Sequence, residues 1–130
     1  MPHRELVTRE VPLECEIADP AARAITRRTR AIVINFPHNP TGAHIGAAVQ
    51  RRLVEIAESA GAILFSDEVY RGLESRPEQM LPCAASLSGR AVSLGVMSKA
   101  LALPGLRIGW LATRNSEFLT GVMRLKDYTT

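Results

Sequence analysis

The chain has 130 residues, of which 46% are hydrophobic and 22% are charged, and its formal net charge is +3. This length suits one domain of ordinary size, and the apolar content is above that of disordered chains. No apolar run is long enough to cross a membrane, and the charged N-terminus lacks the apolar region of a signal peptide. We therefore expect a soluble, cytoplasmic protein without membrane contacts.

The positive charge is concentrated in one cluster, Arg23, Arg27, Arg28 and Arg30. Aromatic residues make up 5% of the chain, and none is interleaved with these arginines. Binding to nucleic acid through phosphates favours a longer basic stripe with stacking residues. We therefore interpret the cluster as the solvated face of a helix that precedes a buried strand, and predict no nucleic-acid partner.

The two cysteines, Cys15 and Cys83, lie far apart and fit no metal-ligand spacing. A single disulfide between them stays open from the sequence. The lack of a secretory signal favours reduced thiols in the cytosol. No metal site is predicted.

The first predicted elements are a short strand over residues 5–12, where hydrophobicity alternates weakly, and an Ala-rich helix over residues 18–29 that the arginine cluster closes. Residues 31–36 form a short apolar, β-branched run bounded immediately by Pro37. A run of this length and composition is typical of a fully buried strand.

Residues 45–60 have the spacing of an amphipathic surface helix, with Gly61 suited to its C-terminal cap. The predicted apolar face carries Ile45, Val49, Leu53, Ile56 and Ala60. The predicted polar face carries Gln50, Arg51, Arg52, Glu55 and Glu58.

Three further apolar runs follow, over residues 62–65, 91–96 and 106–113, and Asn115 is a candidate cap for a last helix. Strands and helices that alternate with short connections predict an α/β protein. Its sheet should be largely parallel and covered by helices on both faces. No internal repeat or low-complexity segment interrupts this pattern.

Polar or unusual residues follow three of the predicted strands. They are Asn39–Gly42, Asp67–Tyr70 and Ser98-Lys99. In open α/β sheets, ligands bind outside the carboxyl ends of the strands, so these segments should converge on one crevice. Each segment alone also has an ordinary explanation, as turn residues, loop acids or a surface lysine.

Taken together, and in this order, the segments resemble the class I/II aminotransferases, which are fold-type-I enzymes dependent on pyridoxal 5'-phosphate (PLP). The resemblance covers roughly residues 25–115. It rests on Pro37–Gly42 (PHNPTG), Ser66–Tyr70 (SDEVY), Ser98-Lys99 and Leu103–Trp110 (LPGLRIGW). It implies a three-layer α/β/α fold with a mostly parallel sheet. The chain would be a partial, incomplete large domain without the N-terminal portion and the C-terminal small domain.

The resemblance implies that Lys99 forms the Schiff base with PLP and acts as the general base at the substrate Cα. Asp67 would lie beside the pyridine nitrogen and keep it protonated, which allows the ring to accept electrons. A lysine in a dry pocket loses its proton more easily, so we expect Lys99 to be enclosed.

The other implied cofactor contacts are Asn39 and Tyr70 as hydrogen-bond donors to the phenolate oxygen, and Arg107 as the phosphate-binding arginine. Ser98 fits the small-residue position before the lysine and belongs to the cofactor-binding set. Lys99, Asp67 and Tyr70 form the implied catalytic set. The implied reaction transfers an amino group between an amino acid and a 2-oxo acid, in a homodimer when full length.

The sequence departs from the family pattern at Val96, where family members usually have Ser or Gly three residues before the lysine. This removes one expected phosphate contact. The phosphate-binding loop, the stacking aromatic and the substrate-binding arginine of complete members are not identified either. We interpret Glu68 as structural, and His38 as a turn residue at least as much as a catalytic one.

Two other classes of function remain open. One is a PLP-dependent lyase, decarboxylase or cyclising synthase of the same fold, because these enzymes share the cofactor residues. The other is a catalytically silent truncated domain. We expect residues 1–130 alone to bind PLP weakly and to have little or no turnover, since several cofactor contacts of the family are missing.

Overall fold

The computed structural model describes residues 18–129, so the predicted strand over residues 5–12 and Cys15 lie outside the described residues. Two short 3-10 turns, Pro77–Gln79 and Pro104–Leu106, separate the regular elements. In chain order the elements are α1 (Ala18–Ala24), β1 (Ala31–Asn35), α2 (Ala47–Ser59), β2 (Ile63–Asp67), α3 (Ala84–Leu87), β3 (Ala91–Val96), β4 (Gly109–Thr113) and α4 (Ser116–Thr129).

The four strands form one sheet in the order β1-β2-β3-β4. Strands β1, β2 and β3 are parallel, and β4 is antiparallel to β3. The connection over residues 97–108 contains no α-helix and stays at the carboxyl end of β3, so β4 returns in the opposite direction. The prediction of an α/β fold with a mostly parallel sheet is confirmed.

Helices cover one face of this sheet in the described residues. Ala21, Leu53 and Ala84, from α1, α2 and α3, pack in one core with sheet residues such as Ile34 and Leu64. The crossovers β1-α2-β2 and β2-α3-β3 step in the same direction along the sheet. Because such crossovers have a single hand, their helices fall on the same face. On the opposite face Val33 is 70% exposed, so the expected second helical layer is not formed by residues 18–129.

Helix α2 follows the predicted span, and Gly61 adopts the left-handed conformation (φ +64°) expected of a C-terminal cap. Gln50 departs from the prediction, because it lies on the buried side of the helix. Its Nε2 donates a hydrogen bond to the Pro82 carbonyl at 2.9 Å, which compensates the amide for loss of water.

Helix α1 ends at Ala24, earlier than predicted, and Arg27, Arg28 and Arg30 lie in the following loop. The backbone N–H of Thr26 donates to Thr29 Oγ1 at 2.9 Å, and that of Arg28 donates to Thr26 Oγ1 at 3.2 Å. Hydroxyl groups that bind nearby backbone in this way compete with helical hydrogen bonds.

Helix α4 begins where the sequence predicts. The Phe118 backbone N–H donates to Asn115 Oδ1 at 2.9 Å, which confirms Asn115 as the N-terminal cap. The helix has no buried residue. Between residues 18 and 129, no helix combines the length and the apolar character that a membrane crossing requires.

Glu68 connects the end of β2 to the core beneath the sheet. It is 9% exposed, and its Oε1 accepts hydrogen bonds from the Ala84 backbone N–H and the Ser93 hydroxyl, both at 2.8 Å. Ser93 Oγ in turn accepts from the Ala85 backbone N–H at 3.0 Å. The carboxylate thus joins β2, α3 and β3, which is a structural use of the residue.

Replacing Glu68 with alanine should lower the free energy of unfolding by about 3 kcal/mol, because two hydrogen bonds to a charged group are lost and their donors stay buried. Urea denaturation measures this change. Glu55→Ala is the matched control, since Glu55 pairs with Arg52 at 3.1 Å on the exposed side of α2. The free energy of unfolding should fall by less than about 1 kcal/mol in this control variant. Equal losses in the two variants would contradict the structural role of Glu68.

Candidate active site

The predicted site residues lie at one edge of the sheet. Asp67 is the last residue of β2, and Tyr70 lies in the turn that follows it. Ser98 and Lys99 lie in the turn after β3, and Asn39 lies in the loop after β1. Because β1, β2 and β3 are parallel, their carboxyl ends meet at the same edge. The crevice predicted from the sequence corresponds to this edge.

The carboxylate of Asp67 is held by two donors. Asn35, the last residue of β1, is its register partner across the sheet, and Asn35 Nδ2 donates to Asp67 Oδ2 at 3.3 Å. The Val69 backbone N–H donates to Asp67 Oδ1 at 3.1 Å. Each carboxylate oxygen therefore has one fixed partner, and the half-buried carboxylate keeps further acceptor capacity.

Lys99 and Tyr70 are in direct contact. Lys99 Nζ lies 5.2 Å from the centroid of the Tyr70 ring, within the range of a cation–π interaction. Lys99 is nevertheless exposed. The dry pocket expected around it is not formed by residues 18–129, because the segment from Lys99 to Gly109 lies open on the surface.

A cavity of about 130 Å³ lies beside the lysine turn. Arg107, at the end of the 104–106 turn, adopts a left-handed conformation (φ +54°), which is uncommon for residues other than glycine. In the described part of the chain, no carboxylate pairs with its guanidinium. An arginine without a carboxylate partner, in one cavity with a serine hydroxyl, is a suitable anion site. The cavity is lined by Val96, Ser98, Arg107, Ile108 and Gly109.

Asn39 lies at the tip of a closed turn. The Gly42 N–H donates to the His38 carbonyl at 2.7 Å, and the His38 ring Nδ1 is 2.8 Å from Thr41 Oγ1. Gly42 has a φ of +69°, which glycine adopts without strain. The side chain of His38 thus braces the turn. The Asn39 side chain has no hydrogen bond within residues 18–129, so its contact with a cofactor stays a prediction.

Asn35 is a residue of this edge that was not predicted from the sequence. Its one distinguishing feature in the sequence is that it is a polar residue at the end of the apolar run Ala31–Ile34. Its partner lies 32 positions away in the chain. Strand periodicity alone therefore gives no reason to single it out.

The family model for class I and II aminotransferases matches residues 10–129 of the chain. The chain belongs to the class I and II aminotransferase family. The match includes every element described above and all six predicted site residues (Asn39, Asp67, Tyr70, Ser98, Lys99 and Arg107).

Curated relatives match most of this chain. The probable N-succinyldiaminopimelate aminotransferase of Mycobacterium tuberculosis is 38% identical over 113 residues, which are 85% of this chain and 28% of that protein. Capreomycidine synthase of Streptomyces vinaceus is 32% identical over 112 residues, which are 86% of this chain and 28% of that protein. The chain thus spans little more than a quarter of these relatives.

Solved structures of aminotransferases have the same fold over this region. The N-succinyldiaminopimelate aminotransferase of Mycobacterium tuberculosis superposes with a TM-score of 0.78 at 37% identity, over 87% of this chain and 30% of that structure. A PLP-dependent aminotransferase from Streptococcus suis superposes with a TM-score of 0.77 at 34% identity, over 86% of this chain and 29% of that one. The described elements therefore match part of an aminotransferase fold.

Proposed function

We propose that this chain supplies the cofactor-attachment part of a PLP-dependent aminotransferase, which transfers an amino group between an amino acid and a 2-oxo acid. Residues 1–130 would then form part of the large, cofactor-binding domain. A homodimer in the cytoplasm is part of the same proposal. The family membership and the aminotransferase relatives support the proposed transfer of an amino group.

The observation that carries the proposal is the grouping of unlike reactive groups at one sheet edge. The amine of Lys99, the carboxylate of Asp67 with its two donors and the phenol of Tyr70 lie at the ends of neighbouring strands. The cavity lined by Arg107 and Ser98 lies beside the lysine turn. These groups fit PLP, which has an aldehyde for the amine, a ring nitrogen for the carboxylate and a phosphate for the arginine. No single structural role would require all of them together.

When bound, PLP supplies an aldehyde that reacts with amines and a protonated ring that accepts electrons. Lys99 would provide the amine that attaches to it, and would take up and return the proton at the substrate Cα. Asp67 would hold the ring nitrogen. Tyr70 and Asn39 would donate hydrogen bonds to the phenolate oxygen, and Arg107, with Ser98 beside it, would bind the phosphate.

Reductive labelling tests the proposal. PLP is added to the chain, the adduct is reduced with borohydride, and the digested peptides are analysed by mass spectrometry. The chain has two lysines, Lys99 and Lys126, so Lys126 is an internal control for nonspecific labelling. We expect the pyridoxyl group on Lys99. Labelling of both lysines to the same extent, or of Lys126 alone, would contradict the proposal.

The same labelling should be compared between residues 1–130 and a complete polypeptide, in which these residues are extended to the full length of the aminotransferase relatives. Lys99 is exposed in the described structure, so we expect residues 1–130 alone to bind PLP weakly and to show little or no transamination. Efficient transamination by residues 1–130 would overturn this expectation, while the assignment of Lys99 would stand.

A second candidate function is a cyclising synthase of the same fold. The relative capreomycidine synthase, at 32% identity, favours it specifically. Both reactions would use the same lysine, aspartate and tyrosine, so these residues do not separate them. Product analysis does: transfer of ¹⁵N from an amino acid to a 2-oxo acid supports the aminotransferase, whereas ring closure of the amino acid without transfer supports the synthase.

Val96 lines the proposed phosphate cavity with an apolar side chain. Val96→Ser should tighten PLP binding about tenfold, because a hydroxyl that bonds a charged group contributes about 1.5 kcal/mol. Absorbance titration with PLP measures the dissociation constant. Val96→Ala is the matched control, since it removes the same methyl groups without adding a donor. Equal tightening in both variants would attribute the effect to space rather than to the hydroxyl.

A further inference from the structure

The orientation of the Asn35 amide gives its nitrogen a hydrogen-bond partner but leaves its oxygen without one. Its Nδ2 donates to Asp67 Oδ2, whereas its Oδ1 is buried without any partner. Among the described residues, 18–129, Oδ1 is the only buried side-chain nitrogen or oxygen atom that lacks a hydrogen-bond partner. The reverse orientation would direct an amide oxygen at a carboxylate oxygen, which is repulsive because both atoms are acceptors. The bond to Asp67 therefore fixes the orientation of the amide.

An unpaired buried acceptor is unfavourable, so this arrangement needs an explanation. The other residues of β1 are Ala31, Ile32, Val33 and Ile34, and an apolar residue at position 35 would complete the strand without an unpaired atom. What an apolar residue would lose is the bond to Asp67. The contact with Asp67 is therefore the specific property of asparagine at this position.

We propose that Asn35 is a positioning residue that sets the rotation of the Asp67 carboxylate toward the cofactor ring nitrogen; this inference rests on the function proposed above. The last torsion of an aspartate side chain is broad, so one donor leaves the carboxylate free to turn. The Val69 N–H holds Oδ1, and Asn35 Nδ2 holds Oδ2. Two donors on different oxygens define one rotation and leave lone pairs on both oxygens for a further donor.

The cofactor-free chain gives the first test. In a ¹H–¹⁵N spectrum, the side-chain NH₂ signal of Asn35 should shift markedly when Asp67 is replaced by alanine. The NH₂ signal of Gln50, which donates to a backbone carbonyl elsewhere, should not shift. An Asn35 signal that is indifferent to Asp67→Ala would overturn the proposal without any use of PLP.

The second test uses the complete polypeptide loaded with PLP that carries ¹⁵N in its ring. Asn35→Leu has nearly the same shape and no donor. It should move the ring-nitrogen signal toward that of the unprotonated ring and lower kcat about 10- to 100-fold, with a smaller change in KM. Gln50→Leu is the matched control, because it also removes a buried amide, at 5% exposure, but one that donates to the Pro82 carbonyl and not to Asp67. The control should leave the ring-nitrogen signal unchanged, even where it lowers stability.

The outcomes separate this proposal from the function on which it rests. If the unmodified protein takes no pyridoxyl label on Lys99, the proposed function fails, and the role of Asn35 fails with it. If Lys99 is labelled but Asn35→Leu has the ring-nitrogen signal and kcat of the unmodified protein, only the positioning role is overturned. If Asn35→Leu does not fold, Asn35→Asp is used instead. The new carboxylate would repel the carboxylate of Asp67 and change its rotation. An unchanged ring-nitrogen signal in this variant would therefore equally overturn the positioning role.

Discussion

Replacement of Lys99 by alanine should abolish covalent attachment of PLP and lower transamination by at least about 10²- to 10⁴-fold, the usual contribution of a general base. The reason is that alanine has neither an amine for the aldehyde nor a base for the substrate Cα proton. The measurement combines the borohydride label with kcat for the complete polypeptide. Because Lys99 is exposed and its side-chain nitrogen lies over the Tyr70 ring without a salt bridge among residues 18–129, the free energy of unfolding should change by less than about 0.5 kcal/mol.

Two control variants separate the chemistry of Lys99 from its charge. Lys99→Arg keeps the positive charge near Tyr70, but its guanidinium stays protonated and does not form the bond to the aldehyde. It should be as inactive as Lys99→Ala. Lys126→Ala removes the other lysine of the chain and should retain both the label on Lys99 and the activity. Substantial activity in Lys99→Arg would mean that position 99 supplies only charge.

The strands were predictable from the sequence because their signal is local. Residues 91–96 are a short run of small and apolar residues, and β3 has these bounds. The acidic end of β2 and the lysine turn after β3 were also predictable as neighbours, since parallel strands bring their carboxyl ends together. The predicted Asn115 cap depends only on the next three residues and is confirmed.

Buried polar residues were not predictable, because their partners are distant in sequence. Gln50 has the spacing of the polar face of α2, but it is buried, and its amide donates a hydrogen bond to the Pro82 carbonyl. Asn35 lies at a strand end and contacts Asp67 across the sheet. Both partners are 32 residues away, so neither composition nor periodicity within one element contains the information.

The environment of Lys99 was predicted only in part. The sequence motif places the lysine after β3 and near Tyr70, and the structure has this arrangement. The expected exclusion of water from the Lys99 amine depends on all the residues that pack around it. Residues 18–129 cover one face of the sheet and leave the segment from Lys99 to Gly109 exposed. The identity of a reactive group can thus be inferred from a short motif, whereas its solvation depends on the whole surrounding fold.

Asp67→Asn should lower kcat about 10²- to 10⁴-fold while PLP still attaches to Lys99. The loss corresponds to about 3–5 kcal/mol, which is the usual consequence of removing one member of a buried charge pair. An amide cannot balance a protonated ring nitrogen, so the ring accepts electrons poorly. The borohydride label on Lys99 should be retained, because attachment requires only the amine. Loss of the label together with the activity would mean that Asp67 is needed for binding and not for electron withdrawal.

The fold should tolerate Asp67→Asn, and the reason lies in Asn35. If the Asn35 amide turns over, its oxygen, unpaired in the native chain, can accept a hydrogen bond from the new amide nitrogen at position 67. The new amide oxygen can still accept from the Val69 N–H. We therefore expect a change of less than about 1 kcal/mol in the free energy of unfolding, by urea denaturation. In the double variant with Asn35→Leu this rearrangement is impossible, so the stability cost of Asp67→Asn should be clearly larger there. A cost that is the same in both backgrounds would contradict the exchange of hydrogen bonds between these two positions.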